Sequence, residues 1–211
     1  MRGGDPSGFS RAGSVTLPSL VALIGSCQSV SYTGSMPLQS EGRRPATLQE
    51  MRALASPIRL RIMRLVLDRA LTNKEIADLL RVSPANTLHH VRTLVDAGFL
   101  VAEPVRRGSR GSRERPYRAT RLSWRIDTGD VDPSGLVKRA SLQAFLAELE
   151  DIPPSTPFAT TRLGLRLSAE HKDELLARLG DVLDEFEKLP REPAGEAFAV
   201  FVAVYPRGAA S

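Results

Sequence analysis

Between Asn73 and Leu100 the chain reads NKEIADLLRVSPANTLHHVRTLVDAGFL, a stretch that leaves few folds open to it. Ile76, Leu79 and Leu80 fall on one face at helical spacing, and Thr87, Leu88, Val91, Leu94 and Val95 fall on another, so two short amphipathic helices are expected. They are joined through Arg81, Val82 and Ser83, and two helices so closely joined form a helix-turn-helix. Both starts are marked. Thr72 and Glu75 have capping-box spacing for the first helix. Ser83 is a good N-cap for the second, with Pro84 at the first helical position, where its missing N–H costs nothing. Gly98 is a stop signal, which sets the second helix at Pro84 to Ala97.

The apolar face of that second helix is needed for a core, which leaves Ala85, Asn86, His89, His90 and Arg92 outward, with Ser83 at the tip. The N-terminal half of a recognition helix is the part that reaches base edges in duplex DNA. Asn86 has the donor and acceptor to pair with adenine, and His89 can donate to guanine N7 or to a phosphate. His90 is read either at the edge of the core or at a phosphate. Adjacent histidines on a helix point about 100° apart, and no third ligand lies near them in sequence, so no metal is expected there.

Downstream, Phe99 to Glu103 and Tyr117 to Leu122 are predicted to pair as strands around the loop PVRRGSRGSRER, a two-stranded wing. Arg106, Arg107, Arg110, Arg113, Arg115 and Arg118 make this wing strongly positive. Such a loop is often only solvated; beside a recognition helix it is expected to enter the minor groove or to track phosphates. Upstream, Leu48 to Leu54 is predicted as a short helix. A second helix runs from Pro57 to about Asp68, with Ile58, Ile62, Leu65 and Val66 buried and Arg59, Arg61, Arg64 and Arg69 outside,. Those arginines are either a solvated face or phosphate contacts, and both readings stay open.

Residues 48 to 122 resemble the ArsR-type winged-helix repressors: ALASPIRLRIMRLV, IADLL and LHHVRTLVDAGFL stand where that family has its opening helix, the first helix of its motif and its recognition helix. The resemblance covers roughly a third of the chain and implies a winged-helix fold, DNA binding and repression. Metal-sensing members carry a Cys-x-Cys-type pair on the first helix of the motif, or His and carboxylate ligands on a later dimer helix. Asn73, Lys74 and Glu75 stand here where such cysteines would lie. No metal or other cofactor is therefore expected, and the signal is left as an unknown small-molecule effector.

Charge divides the chain. Residues 44 to 125 carry 17 Lys/Arg against 7 Asp/Glu, while residues 126 to 211 carry 9 against 15. Clustered positive charge is rewarded by counterion release on nucleic acid, so the first part and not the second is expected to face phosphate. Arg far outnumbers Lys there, which favours bidentate contacts to phosphate and guanine. Cys27 is the one cysteine of the chain, so it has no intrachain disulfide and no cysteine cluster for a metal. A soluble, cytoplasmic protein with no membrane partner is expected, since no long apolar run occurs. Residues 1–45, rich in Gly, Ser and Pro, read as a disordered tail or one added by an early start codon, with Met36 as the alternative start. The faint lipoprotein-like stretch ending at Cys27 is short and broken by Pro18, and export is not expected.

Residues 46–125 are thus assigned to the winged helix-turn-helix domain, 126–135 to a linker and 136–206 to a C-terminal dimerisation or effector domain. The fold class is mainly α with small β, the second domain being a small α+β unit. In it, Leu136 to Glu150 carries a wide apolar stripe of Leu136, Ala140, Leu142, Phe145, Leu146 and Leu149. Thr160 to Leu167 alternates like a half-buried strand, and a helix opening at Ser168 presents Leu175, Leu176, Leu179, Val182, Leu183 and Phe186,. Ala197 to Pro206 reads as a strand buried on both faces. The expected function is a sequence-specific regulator, a dimeric repressor reading a palindromic operator in duplex DNA as a homodimer. The alternative is a protein-interaction module whose acidic C-terminal part binds a partner, with DNA contact secondary. No catalytic residue is assigned and no enzyme is expected, because phosphate loops, nucleophile elbows and metalloprotease motifs are missing and His171 stands apart from any catalytic grouping.

Overall fold

The first helix, α1 (Leu48–Leu54), begins where Thr47 and Glu50 satisfy each other's backbone N–H groups: Glu50 N donates to Thr47 Oγ1 at 3.2 Å, and Thr47 N donates to Glu50 Oε2 at 2.7 Å. Glu50 also receives Arg44 through both carboxylate oxygens, at 2.9 and 2.5 Å. Ser56 then lets Pro57 open α2 (Pro57–Leu65) at a position that needs no N–H,. The computed structural model describes residues 42–108, 111–129, 132, 134–192 and 194–207; the readings placed on residues 1–41, including Cys27 and Met36, lie outside them.

The helix-turn-helix follows as the sequence marks it. α3 (Asn73–Leu80) carries the Thr72–Glu75 capping box, and α4 (Pro84–Asp96) is capped by the Ser83 hydroxyl. Past α4, Gly98 adopts a φ of +78°, Gly98 N donates to Val95 O and Phe99 N donates to Leu94 O, both at 2.9 Å. This paired closure satisfies the last carbonyls and uses the left-handed backbone that glycine adopts without cost. Ile62, Val66, Ile76, Val91, Leu94 and Phe99, each at most 1% exposed, form the centre of one core shared by α2, α3, α4 and the first strand after them.

The strands add to the expected pair. β1 (Arg44–Pro45) pairs parallel with β7 (Ile126–Asp127). β2 (Leu71–Thr72), β3 (Leu100–Ala102) and β6 (Pro116–Ala119) form an antiparallel sheet in the order β2-β6-β3, and β4 (Arg106–Arg107) pairs with β5 (Arg113–Glu114) as an arm of its own. Leu71 supplies the third strand because its buried side chain fixes the backbone beside Tyr117. The expected boundaries move outward: Arg44 is in a ladder, and Ile126 is a core residue at 2% exposure.

The stretch read as a linker is likewise structured at its end. Asp132 is buried and accepts from Leu136 N at 2.7 Å and Val137 N at 2.9 Å, so its carboxylate occupies the positive end of α5 (Leu136–Glu150). α5 lies along α2. Its buried residues are Val137, Ala140 and Ala144, while of the expected stripe Ala140 is buried, Phe145, Leu146 and Leu149 are half-buried, and Leu136 and Leu142 stay exposed. Arg61 and Arg64 of α2 reach Asp151 and Glu148 at 2.5 and 3.1 Å, and Arg59 donates to the carbonyls of Ala53 and Arg52. The open question over the α2 arginines thus resolves for these three into internal struts.

The C-terminal α+β expectation is not met. α6 (Ala169–Lys188) forms, capped by Ser168, but its buried residues are Leu176, Gly180 and Asp184. Neither Thr160–Leu167 nor Ala197–Pro206 is a strand: both are unpaired, and Phe198 is 80% exposed where a doubly buried position was expected. A strand needs a partner's backbone as well as a suitable pattern, and the described residues of this one chain supply none.

One consequence concerns acid. The Arg44 guanidinium, foremost, and the Thr47 groups hold the Glu50 carboxyl down at about 2, against an unfolded value of about 4.3. A depressed carboxyl contributes stability that is present above about pH 4.5 and is lost as pH falls through about 2. Urea unfolding of Glu50→Gln should show a loss on the order of 2 kcal/mol at neutral pH, with Arg44 discounted because it is half exposed,. The variant's acid limb between about pH 4.5 and 2 should be flatter than the parent's.

Candidate nucleic-acid interface

The turn between α3 and α4 is tight because Arg81 takes a left-handed conformation, φ 56°, and Val82 N returns to Ala77 O at 3.1 Å. Asn73 Nδ2, on the first turn of α3, donates to Pro84 O at 2.8 Å, tying the starts of the two helices together. Thr87 is fully buried and its hydroxyl donates to Ser83 O at 3.1 Å. With Thr87, Val91 and Leu94 turned into the core, Ala85, Asn86, His89 and Arg92 stand exposed along the opposite side of α4. Ser83 is exposed at the tip, its oxygen accepting from Asn86 N at 3.3 Å.

His90 parts company with this group. It is half-buried, its Nδ1 is fully buried and makes no hydrogen bond, and its ring meets that of His89 edge-on at 5.5 Å. Burial, then the positive charges of Arg59 and His89, lower its pKa from the ordinary histidine value. It therefore sits at the edge of the core, beside α2, one of the two places the sequence allowed.

The arginines of the arm divide in the same way. Arg106 Nη2 donates to both carboxylate oxygens of Glu75, at 2.7 and 2.9 Å, and Arg106 Nε lies 3.8 Å from Glu114. Arg118 reaches Glu103 at 2.5 Å and the carbonyl of Asp68 at 3.1 Å. Both are anchors: one holds the arm to the capping box of α3, the other braces β6. Arg107, Arg113 and Arg115 are exposed, and among the described residues none is in an ion pair. Arg107 and Arg113 face each other directly across the β4–β5 ladder, an opposition of like charges that destabilises a bare strand pair. Arg110 lies outside the described residues. At the bend, a Cβ on Gly108 would come within 2.1 Å of the Glu114 side chain, so a larger residue there would displace the Glu114 carboxylate.

Two clefts flank the arm. One, of about 540 Å³, is lined by Val105, Arg106, Arg107, Gly111 and Arg113. The other, of about 370 Å³, runs between the start of α3 and the arm, with Lys74, Arg113 and Arg115 among its lining residues. Lys74 was not among the expected site residues; its signal was a cation in the first turn of a capped helix, where backbone N–H groups also point outward. Asn73 as a brace between helices carried no local signal at all.

A family model described as a helix-turn-helix domain matches residues 54–107. No curated protein matches the chain. The matched stretch runs from the end of α1 to β4 and takes in α2, the whole helix-turn-helix and the first strand of the arm. The chain therefore carries a helix-turn-helix domain, which supports a DNA-binding regulator with duplex DNA as its partner. Among the described residues no group of His, Cys, Asp and Glu could hold a metal ion, and no helix is long and apolar enough to cross a membrane.

The Arg106–Glu75 contact makes a separable prediction. Glu75→Gln keeps a side chain able to complete the capping box but removes the charge partner of Arg106, and should cost less than about 1 kcal/mol, as exposed pairs do. Amide exchange at Val105 to Gly108 should nonetheless accelerate. Unchanged exchange there would mean that β4–β5 pairing alone holds the arm. Glu75→Ala, which also loses the cap, should cost about 1 kcal/mol more.

Proposed function

We propose that this chain is a sequence-specific transcriptional regulator of the winged helix-turn-helix kind, a dimeric repressor that reads a palindromic operator with α4 in the major groove and the β4–β5 arm as its wing. The observation that carries this reading is the Arg107–Arg113 opposition, next to exposed Arg115 and Lys74. A polyanion laid along the arm would convert that repulsion into attraction, with release of counterions. Asn86, His89 and Arg92, with Ala85 and Ser83 at the helix start, are assigned to base edges and adjoining phosphates. His90 is assigned to positioning of α4.

The resemblance to ArsR-type repressors supports repression, and the acidic C-terminal part is assigned to dimerisation or to sensing a small-molecule effector in the cytoplasm. The second reading, a protein-interaction module with secondary DNA contact, draws support from the exposed apolar residues after α5. A salt titration on random duplex separates the two. A steep negative slope of log affinity against log salt belongs to the regulator, and binding that ignores salt belongs to the module.

On an operator recovered by selection from random duplexes, Asn86→Ala and His89→Ala should each cost roughly 1 to 3 kcal/mol per base contact while leaving random duplex nearly unaffected. Arg107→Ala, Arg113→Ala and Arg115→Ala should weaken binding to every sequence alike, each reducing the salt slope by about 1. Equal losses from Asn86→Ala on both duplexes would assign that side chain to the backbone. Micromolar zinc, cadmium or arsenite should leave operator binding unchanged in gel-shift titrations, because Asn73, Lys74 and Glu75 offer no thiolate,.

A further inference from the structure

Residues 157–168 and 196–207 each run without helix, turn or bend. Among the described residues, no backbone N–H or C=O of 157–167 or 197–206 meets a backbone partner. Their side chains nonetheless have a strand's composition. Leu163, Phe198, Val200 and Tyr205 are 72%, 80%, 64% and 66% exposed, and in the second segment both faces are apolar, the pattern of a strand covered on both sides. Phe201 anchors it by stacking on Phe145 of α5, centroids 4.4 Å apart and planes 9° from parallel, and Val202 and Val204 are half-buried. The first segment lies beside it, since a Cβ on Gly164 would be 3.4 Å from Arg207 Nη1.

We propose that Ala197–Tyr205 pairs antiparallel, across a two-fold axis, with the same segment of a second copy of this chain. The proposal rests on the reading of the C-terminal part as the dimerising part and names the strand that does it. Charge selects the occupant. No residue from Ala197 to Tyr205 is charged, so pairing about Phe201 sets Val200 against Val202, Ala199 against Ala203 and Phe198 against Val204, with no like charges opposed. The same operation on 160–167, about Gly164, sets Arg162 against Arg166, which disfavours self-pairing there and suits that segment to an outer position, where charged side chains stop further strands from adding. A two-fold pair uses the same edge of both copies and so closes, whereas a head-to-tail pair would leave an edge open and grow. Phe198 and Tyr205 supply most of the exposed apolar surface that such pairing would cover,.

Sedimentation equilibrium of the full chain tests this with Val200→Lys and Val202→Glu. Val200 is largely exposed in the single chain, so its own fold should survive the change, with helical circular dichroism as the control. The parent should be a dimer, and each variant should dimerise at least about ten-fold more weakly. An equimolar mixture of the two should recover dimer, because the new lysine then faces the new glutamate. A dimeric parent with both variants equally tight would overturn the segment and leave the dimer reading standing. Weakened variants that the mixture does not rescue would overturn the two-fold register. A parent that is monomeric throughout would overturn both the dimer reading and this pairing.

Discussion

Everything in the DNA-binding part depends on the burial of Ile62 and Val66. Two helices as short as α3 and α4 are marginal by themselves, and neither can cover the other's apolar face completely. α2 supplies the missing surface, placing these two side chains, both wholly buried, among Ile76, Val91 and Leu94. Its end also enters the sheet, where Ala119 N donates to Val66 O at 3.0 Å, so the arm is referenced to the same helix that seats the helix-turn-helix. Deleting methylenes at Ile62 would loosen the core and the angle of α4 together, since close-packed interiors transmit such changes.

Arginine does two kinds of work in this chain, and the presence of a nearby carboxylate or carbonyl decides which. Arg44, Arg61, Arg64, Arg106 and Arg118 are held by acidic partners. Arg43 lies over the Trp124 ring at 4.2 Å and reaches Asp184 at 3.0 Å, with both side chains largely buried, so the start of the folded part, the turn at Leu122–Trp124 and α6 meet at one guanidinium. Burial raises the Glu148 pKa, opposed by Arg64 and Arg61; its pairing with Arg64 is thus a compromise between desolvation and attraction. Among the described residues of the arm, Arg107, Arg113 and Arg115 remain without an ion-pair partner, and Arg107 and Arg113 oppose each other across the strands.

The C-terminal part is built on the opposite principle. α5 joins the core through small residues and leaves Leu136 and Leu142 in water, and α6 buries a narrow line ending in the charged Asp184 while Val182 and Phe186 stay exposed. Exposed apolar surface on this scale marks a place where something else packs. Polar tethers hold this part to the rest: Arg43 to Asp184, Arg121 to Glu187, Arg191 to Asp68. Of these, Arg191–Asp68 is exposed and contributes little, whereas Arg43–Asp184 is largely buried and Arg121–Glu187 half-buried.

The elements that the sequence determined by itself are those whose signals are local. α3, the turn through Arg81 to Ser83, α4 and its closure at Gly98 are each set by residues within five positions of one another, and so is the capping of α6 at Ser168. The outward residues Asn86, His89 and Arg92 were legible for the same reason, since helical period alone separates them from Thr87 and Val91. Tertiary structure alone decided what depends on distant partners: Leu71 as a third strand, Ile126 in the core, Arg106 bound to Glu75 and so withdrawn from the free charge of the arm, and His90 turned to the core edge. It also decided that Thr160–Leu167 and Ala197–Pro206, patterned as strands, stay unpaired. A side-chain pattern states which face of a segment must be covered, but hydrogen bonds between backbones far apart in the chain decide whether anything is there to cover it.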